Sequence, residues 1–170
     1  MLHPSIEMRQ KGAIQGNGLF AVQLIPKGTL VWELNEPTYT WQEIESWSED
    51  RLKPFKRYGF QCGVDRYSSP EGISRELNHS CSPNIWWASS DSMIARYDIF
   101  AGDELTYDYS SCDVDLEFEM DCSCGSPCCR RVISNRDYLD VAWQEQYGLN
   151  LPSHVLEVIA VYAQTDEISF

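Results

Sequence analysis

The stretch Arg75-Glu-Leu-Asn-His-Ser-Cys-Ser-Pro-Asn84 brings amide, imidazole and thiol side chains into a segment rich in turn-forming residues. A thiol close to an imidazole suggests a nucleophilic Cys–His pair. His79 and Cys81 are near neighbours in sequence, however, and such neighbours rarely meet as a catalytic pair. A nucleophilic pair is therefore not favoured for this stretch.

Further along the chain, the segment Gly102–Tyr109 (GDELTYDY) carries Tyr107 and Tyr109 two positions apart. In an extended chain, residues at this spacing point to the same face. Two tyrosines packed in a core would show the same spacing. The pattern alone therefore leaves a core pair and a functional pair open.

Before both segments, Gly16-Asn17-Gly18-Leu19-Phe20-Ala21 matches the GxGxxA pattern of dinucleotide-binding proteins. That motif requires a helix immediately after it, and Pro26 and Gly28 prevent a helix of useful length. A Rossmann domain is therefore excluded. The glycines either let the backbone approach a ligand closely or only turn the chain between two strands.

Near the end of the chain, Cys122-Ser-Cys-Gly-Ser-Pro-Cys-Cys129 places four thiols in eight residues around a glycine and a proline. Such a tight turn can aim thiolates at one tetrahedral ion, which predicts a closed structural zinc site rather than buried, inert cysteines. The CxC spacing differs from the usual two CxxC pairs. A further thiolate from elsewhere in the chain would improve the geometry.

Length and composition fit one globular domain, or one domain with a small appendage, since 170 residues include 43% hydrophobic and 12% aromatic side chains. Seven cysteines cannot all pair, and metal binding explains them better than disulfides in a reducing compartment. The sequence lacks a signal peptide and a run of about 20 apolar residues. These features predict a soluble, intracellular protein with no membrane partner.

The net charge of −13 opposes binding to a phosphate backbone, so direct nucleic-acid binding is not expected. Residues 1–97 carry 11 acidic and 10 basic side chains, whereas residues 98–170 carry 15 and 3. The acidic part suits a basic partner, or simply keeps the protein soluble. Within it, acids at every odd position of Asp113–Asp121 predict a half-buried strand with one acidic face.

Other local patterns predict short strands in the N-terminal half and two helices. Thr40 and Glu43 form a capping box for a helix of about three turns that Pro54 ends. Ser153 is placed to cap a final helix. The predicted strands cover residues 19–22, 29–32, 58–65, 85–88 and 93–100.

Taken together and in this order, these segments resemble the SET-domain protein lysine methyltransferases that have a post-SET zinc motif. The resemblance covers roughly residues 8–133. It implies a mainly β fold with a few helices (α+β), in which short sheets surround a threaded pseudoknot and a C-terminal post-SET segment binds zinc. The implied divisions are a SET domain at 1–112 with a helical insert at about 40–57, an acidic strand and post-SET zinc segment at 113–133, and a C-terminal extension of unassigned role at 134–170.

Residue by residue, the resemblance implies sites for S-adenosylmethionine, a target lysine and zinc. Tyr109 would be the catalytic tyrosine, and Tyr107 stands where Phe or Tyr affects how many methyl groups are added. Tyr58 is a candidate for a further active-site aromatic residue. The implied cofactor-binding residues are Gly16, Asn17, Gly18, Leu19, Asn78 and His79. The implied zinc ligands are Cys81, Cys122, Cys124 and Cys129, with Cys128 as an alternative to Cys129.

The resemblance thus predicts an S-adenosylmethionine-dependent protein-lysine N-methyltransferase. Its expected substrate is a basic protein tail, such as that of a histone, met in the nucleus or on chromatin if the host is eukaryotic. An alternative is a catalytically inactive, zinc-stabilised module that binds basic tails. Asn78, His79 and Tyr109 argue against that alternative, because a module without turnover needs no hydroxyl at the point of methyl transfer.

Overall fold

The computed structural model describes residues 1–10 and 16–166. Residues 11–15, which precede the predicted glycine turn, and the last four residues of the predicted C-terminal extension lie outside the described part. Within the described ranges, no helix is long and apolar enough to cross a membrane.

Short strands and a few helices make up the fold. The strands are β1 (Ile6–Gln10), β2 (Asn17–Ala21), β3 (Leu30–Glu33), β4 (Phe60–Gly63), β5 (Arg66–Ser68), β6 (Asn78–His79), β7 (Ile85–Ser89), β8 (Ser92–Ala95), β9 (Glu104–Tyr107), β10 (Glu119–Asp121) and β11 (Val132–Ser134). The α-helices are α1 (Trp41–Glu45), α2 (Glu49–Tyr58), α3 (Val141–Tyr147) and α4 (Ser153–Asp166). Short 3-10 helices cover Gly72–Glu76, Tyr109–Ser111 and Asp137–Leu139.

Four small sheets organise these strands, with the orders β1-β2-β9-β6, β3-β8-β7, β4-β5 and β10-β11. Most neighbours are antiparallel, but β6 and β9 run parallel and set Asn78 opposite Thr106 and His79 opposite Tyr107. A parallel pair needs a long crossover between its strands. Here the crossover contains β7 and β8, and it returns the tyrosine segment to the side of the Asn-His segment. The predicted mainly β fold class is confirmed.

The main core lies between the sheets and is rich in aromatic residues. Trp32 meets both Phe60 and Trp87 edge to face, each at 5.9 Å between ring centroids. Full burial of such large side chains stabilises the fold by about 1.5–3 kcal/mol each. Because these three rings also line the large cavity described below, the core fixes one wall of it.

The helical insert differs in one respect from its prediction. The capping box of Thr40 and Glu43 is present, but α1 ends at Glu45 because the Ser46 hydroxyl donates to the Glu43 carbonyl and Ser48 is extended. The prediction that Pro54 ends the helix is wrong, since Pro54 lies inside α2. Pro54 lacks the backbone N–H that would bond the carbonyl four residues earlier. Because Pro54 is exposed, water can bind that carbonyl instead.

The predicted strand over Asp113–Asp121 is also wrong in extent. Only Glu119–Asp121 forms a strand, and it pairs with β11. Asp113 is buried, and its Oδ1 accepts a hydrogen bond of 2.6 Å from the Gln61 backbone N–H. Asp115 accepts hydrogen bonds from Gln61 Nε2 and the Tyr67 hydroxyl. Hydrogen bonds to these two acids therefore anchor the segment, and of the two only Asp113 is buried.

The C-terminal extension folds back onto the domain. The predicted final helix is present as α4 and begins at Ser153. A second core forms between α3 and α4 around Trp143, Tyr147, Leu151 and Val155. Its rim includes Val114, so the extension packs directly on the chain that leaves the tyrosine segment.

Candidate active site

A cavity of about 830 Å³ opens between the helical insert, the β6–β9 pair and the segment that precedes β10. This volume lies in the range of small-molecule and cofactor sites. Residues from four sequence motifs meet at its wall, and several of them are the predicted site residues. The predicted ones on its surface are Gly16, Asn17, Tyr58, Asn78, Tyr107 and Tyr109.

The two tyrosines are neighbours in space. Their ring centroids are 5.0 Å apart with the ring planes at 53°. Tyr107 also meets the edge of Trp87 at 6.5 Å, and the Tyr109 hydroxyl donates to the Leu77 carbonyl at 2.9 Å. The extended end of β9 thus turns both rings into one cavity, as their spacing predicted.

Burial keeps both tyrosines in the neutral form. It raises the pKa of Tyr109 to about 12, and the carboxylates of Glu104 and Glu76 act in the same direction. Burial also raises the pKa of Tyr107 well above its ordinary value. Neutral phenols can donate and accept hydrogen bonds without bringing a negative charge into the site. The pair is therefore suited to orienting a polar group rather than to removing a proton.

Three of the predicted cofactor residues, Gly16, Asn17 and Asn78, also lie on the wall. Asn78 Nδ2 donates to the Asn17 carbonyl at 2.8 Å and to Glu104 Oε1 at 2.6 Å. These bonds tie the glycine turn to β6 and β9. Gly16, at φ +56°, exposes its backbone there, in a conformation that residues with a Cβ adopt at a cost.

The other three predicted cofactor residues do not present side chains to the cavity. Gly18 is buried within β2, and Leu19 is fully buried in the main core beside Leu105. The His79 ring lies on the far side of β6, where its Nε2 is 3.4 Å from Cys81 Sγ. Any contact of these three with a cofactor has to go through the backbone.

The four predicted zinc ligands form one cluster. Cys122 Sγ lies 3.8 Å from Cys81 Sγ and 3.7 Å from Cys129 Sγ, and Cys124 Sγ accepts the Cys81 backbone N–H at 3.5 Å. Thiolates at 2.3 Å from a tetrahedral ion would be about 3.8 Å apart. These separations fit a tetrahedral ion such as zinc, and Cys81 is a thiol from elsewhere in the chain that lies beside those of the turn.

Local geometry distinguishes the two adjacent cysteines of the turn. Cys128 is exposed, and its Sγ lies 3.6 Å from the Cys81 carbonyl rather than against the thiols. Gly125 takes φ +76°, which lets the chain turn between Cys124 and Cys129. Although burial opposes it, hydrogen bonds from the Cys81 backbone and Ser126 lower the pKa of Cys124 to about 6. A thiolate is favoured at that position.

His79 is close enough to the thiols to be considered as a ligand, since its ring nitrogen and the Sγ atoms of Cys81, Cys122 and Cys124 all lie within 4.8 Å of one another. Burial lowers the pKa of His79, so the ring is neutral. Its Nδ1 accepts the Tyr109 backbone N–H at 3.2 Å, which leaves the proton on Nε2 facing Cys81. The ring therefore connects the thiol cluster to the backbone of Tyr109.

Two buried acids of the site were missed by the sequence prediction. Asp113 lines the cavity, and burial raises its pKa to about 7. Asp108 lies between the tyrosines with its side chain wholly buried. Asp113 was grouped with exposed acids because of the alternating pattern. No local signal in the sequence separates Asp113 from the acids that follow it, because its burial depends on the distant Gln61.

Sequence and structure comparisons relate the chain to known proteins. A family profile described as SET domain matches residues 16–110, more than half of the chain. The histone-lysine N-methyltransferase trr of Drosophila melanogaster is 34% identical over 134 residues, which cover 71% of this chain and 5% of that protein. An H3 lysine-36 specific histone-lysine N-methyltransferase of Schizosaccharomyces pombe is 27% identical over 164 residues, which cover 89% of this chain and 20% of that protein.

The chain thus spans only a small part of the length of these curated relatives. Among solved structures, the methyltransferase domain of the human histone-lysine N-methyltransferase SETMAR is similar in fold, with a TM-score of 0.56 at 23% identity. The similarity covers 76% of this chain and 58% of that one.

Proposed function

The chain belongs to the SET-domain family, and we propose that it is a protein-lysine N-methyltransferase that uses S-adenosylmethionine and acts on a basic protein tail such as that of a histone. The observation that carries the proposal is the pair of neutral tyrosines, 5.0 Å apart, in a cavity that also exposes the glycine turn and Asn78. Its relatives include histone-lysine methyltransferases, which supports action on chromatin in a eukaryotic host.

The tyrosine pair suits methylation of an amine. A lysine side chain is cationic near neutral pH, with a reference pKa of about 10.4, and only the neutral amine is a nucleophile. Desolvation within a largely aromatic cavity disfavours the ammonium form. The Tyr109 hydroxyl, placed at the cavity wall and uncharged, would orient the amine nitrogen for in-line attack. The side chains thereby position the nucleophile without a strong general base.

Gly16, Asn17 and Asn78 are the residues best placed to hold the cofactor. Bound S-adenosylmethionine would supply an electrophilic methyl group and a positive charge close to the amine. The open backbone at Gly16 offers polar contacts on the wall of a cavity large enough for a nucleoside-sized ligand, and Asn78 holds the glycine turn in place beside it. Gly18, Leu19 and His79 would contribute through their backbone or by supporting these residues.

The thiol cluster is proposed to hold one structural zinc ion through Cys81, Cys122, Cys124 and Cys129. Zinc there would join the segment after Asn78 to the turn before β11. The hydrogen bond between His79 and Cys81 would orient the ligand, as hydrogen bonds to metal ligands commonly do. The metal would therefore support the active-site wall without taking part in the chemistry.

Methyl transfer can be tested directly with isotope-labelled S-adenosylmethionine and a panel of histones and basic peptides. Mass spectrometry of the products should find the label on lysine side chains, and the Tyr109→Phe protein serves as the matched negative control. Binding of basic peptides without any transfer of label would favour the inactive tail-binding module. Transfer to a residue other than lysine would overturn the proposal.

A further inference from the structure

The carboxylate of Asp108 lies on the opposite face of the chain from the tyrosines that flank it. Side chains alternate between faces in an extended segment, so two tyrosines that enter the cavity leave Asp108 pointing away from it. Its side chain has no solvent exposure. Both carboxylate oxygens are therefore available only to protein groups.

The side-chain donors to the carboxylate come from two later segments of the chain, and His79 Nδ1 also lies 3.4 Å from Oδ1. Arg130, beside the last cysteine of the thiol turn, donates to both oxygens at 2.7 Å. From α3, the Tyr147 hydroxyl donates to Oδ2 at 2.8 Å and Trp143 Nε1 at 3.1 Å. Although burial alone would raise it, hydrogen bonds and the charge of Arg130 lower the pKa of Asp108. The buried carboxylate is thus an anion with strong, charge-assisted bonds.

The same carboxylate also shapes the backbone that carries Tyr109. Oδ1 accepts the Ser110 backbone N–H at 3.1 Å, and the Asp108 carbonyl accepts the Ser111 N–H at 3.0 Å. These bonds define the turn in which the tyrosine sits. A shift of Asp108 would therefore change the direction of the Tyr109 ring.

We propose that Asp108 is a positioning residue through which α3 of the C-terminal extension completes the active site. Arg130 fixes the carboxylate on one side, and Trp143 with Tyr147 fixes it on the other. This assigns a role in catalysis to a segment that lies outside the cavity wall. The catalytic meaning of this role rests on the proposed methyltransferase function, whereas the coupling between α3 and the tyrosines does not.

The kinetic test compares Tyr147→Phe with Tyr138→Phe. Tyr138 belongs to the same extension, and within the described part of the chain its hydroxyl has no hydrogen-bond partner. Loss of one bond to a buried charged group should lower kcat of Tyr147→Phe by roughly 3–30-fold, with KM for the cofactor little changed. The ratio of mono- to dimethylated product should change as well. Tyr138→Phe should match the wild type in all three quantities.

A purely structural role predicts a different result. Assayed well below its unfolding temperature, Tyr147→Phe would then be less stable but would keep the wild-type kcat and product ratio. That outcome would overturn the proposal. Trp143→Phe provides a second, independent loss of a donor and should behave like Tyr147→Phe.

A spectroscopic measurement separates this proposal from the proposed function. In protein with isotope-labelled tyrosine rings, the signals of Tyr107 and Tyr109 can be assigned by substituting each with Phe. Tyr147→Phe should move both signals, and Tyr138→Phe should move neither. If the signals move but the wild type methylates no substrate, the coupling stands and the enzyme assignment fails. Unmoved signals would overturn the coupling itself.

Discussion

At the scale of single residues, the hydroxyl of Tyr109 is the group on which turnover should depend most. Tyr109→Phe leaves the ring in place and removes only the bond to the Leu77 carbonyl and the proposed contact with the amine. Loss of orientation at a reacting centre can cost orders of magnitude, so we expect activity to fall by roughly 10²-fold or more. Initial rates with labelled cofactor measure this directly. Retention of most of the activity would show that another group positions the amine.

The Tyr107 hydroxyl should control the number of methyl groups added. A hydroxyl at this place can hold the lysine nitrogen directly or through a water, which hinders the rotation needed for another transfer. We therefore expect mainly mono- or dimethylated product from the protein itself. Tyr107→Phe should shift the product toward higher methylation and keep most of the turnover. Identical product distributions by mass spectrometry would contradict this role.

Asp113 should make stability depend on pH. Burial raises its pKa from 3.8 to about 7, so the folded state keeps the proton while the unfolded state has lost it. The resulting stabilisation is complete below pH 3.8 and is lost as pH rises to about 7. Over this pH range, the free energy of unfolding of Asp113→Asn should change by about 1–3 kcal/mol less than that of the wild type. Urea denaturation at several pH values measures it, with the exposed Asp121→Asn as control. If the free energy of unfolding changes with pH in Asp113→Asn as it does in the wild type, Asp113 is not the source of the pH dependence.

At this scale the sequence indicated residue identity better than side-chain direction. Tyr107, Tyr109, Asn78 and the thiols form motifs whose spacing is itself the signal. The orientation of His79 away from the cavity depends on its bond to the Tyr109 backbone, which joins β6 to a 3-10 helix distant in sequence. A local pattern carries no information about such a partner.

At the scale of elements, the thiol turn and β10–β11 should depend on metal. We expect one zinc per molecule by elemental analysis. Removing it should abolish activity before it unfolds the domain, because a structural metal contributes its binding free energy to local folding. Hydrogen exchange of residues 119–134 should then increase first. Cys122→Ser should lose the metal and Cys128→Ser should keep it. A metal-free protein with all seven thiols titratable would contradict the site.

The exposed acids before the thiol turn should attract a basic substrate. Glu117, Glu119 and Asp121 are exposed, whereas the two acids before them are held by hydrogen bonds. Glu117→Gln with Glu119→Gln should raise KM for a lysine-rich peptide and flatten its salt dependence, with little change in kcat. The exposed Glu145→Gln on α3 is the matched control. Equal KM values at low salt would leave these acids without a steering role.

Elements were predictable where one local interaction decides them. The Thr40 capping box is such a case, because both of its hydrogen bonds lie within four residues. The acidic alternation of 113–121 was misleading, since an alternating pattern indicates a strand only if a neighbouring strand is available to pair with. Over residues 113–115 the chain is held by Gln61 side-chain and backbone contacts instead.

At the scale of the whole molecule, the fold class followed from the motifs, but the site depends on contacts between distant segments. The parallel pairing of β6 with β9 brings Asn78 opposite Thr106, and Arg130 with α3 adds the groups that surround Asp108. None of these contacts leaves a periodic trace in the sequence. The role of residues 134–170 therefore could not be derived before the structure placed Trp143 and Tyr147.

The dependence of Asp108 on α3 has a consequence for protein synthesis. Translation proceeds from the N-terminus at roughly 5–20 residues per second, so Tyr107 and Tyr109 leave the ribosome before Trp143 and Tyr147 do. Until that helix emerges, the growing chain contains both tyrosines of the cavity but lacks two of the donors that hold Asp108. On the role proposed for Asp108, the nascent protein would therefore reach full activity only after α3 has been synthesised and docked.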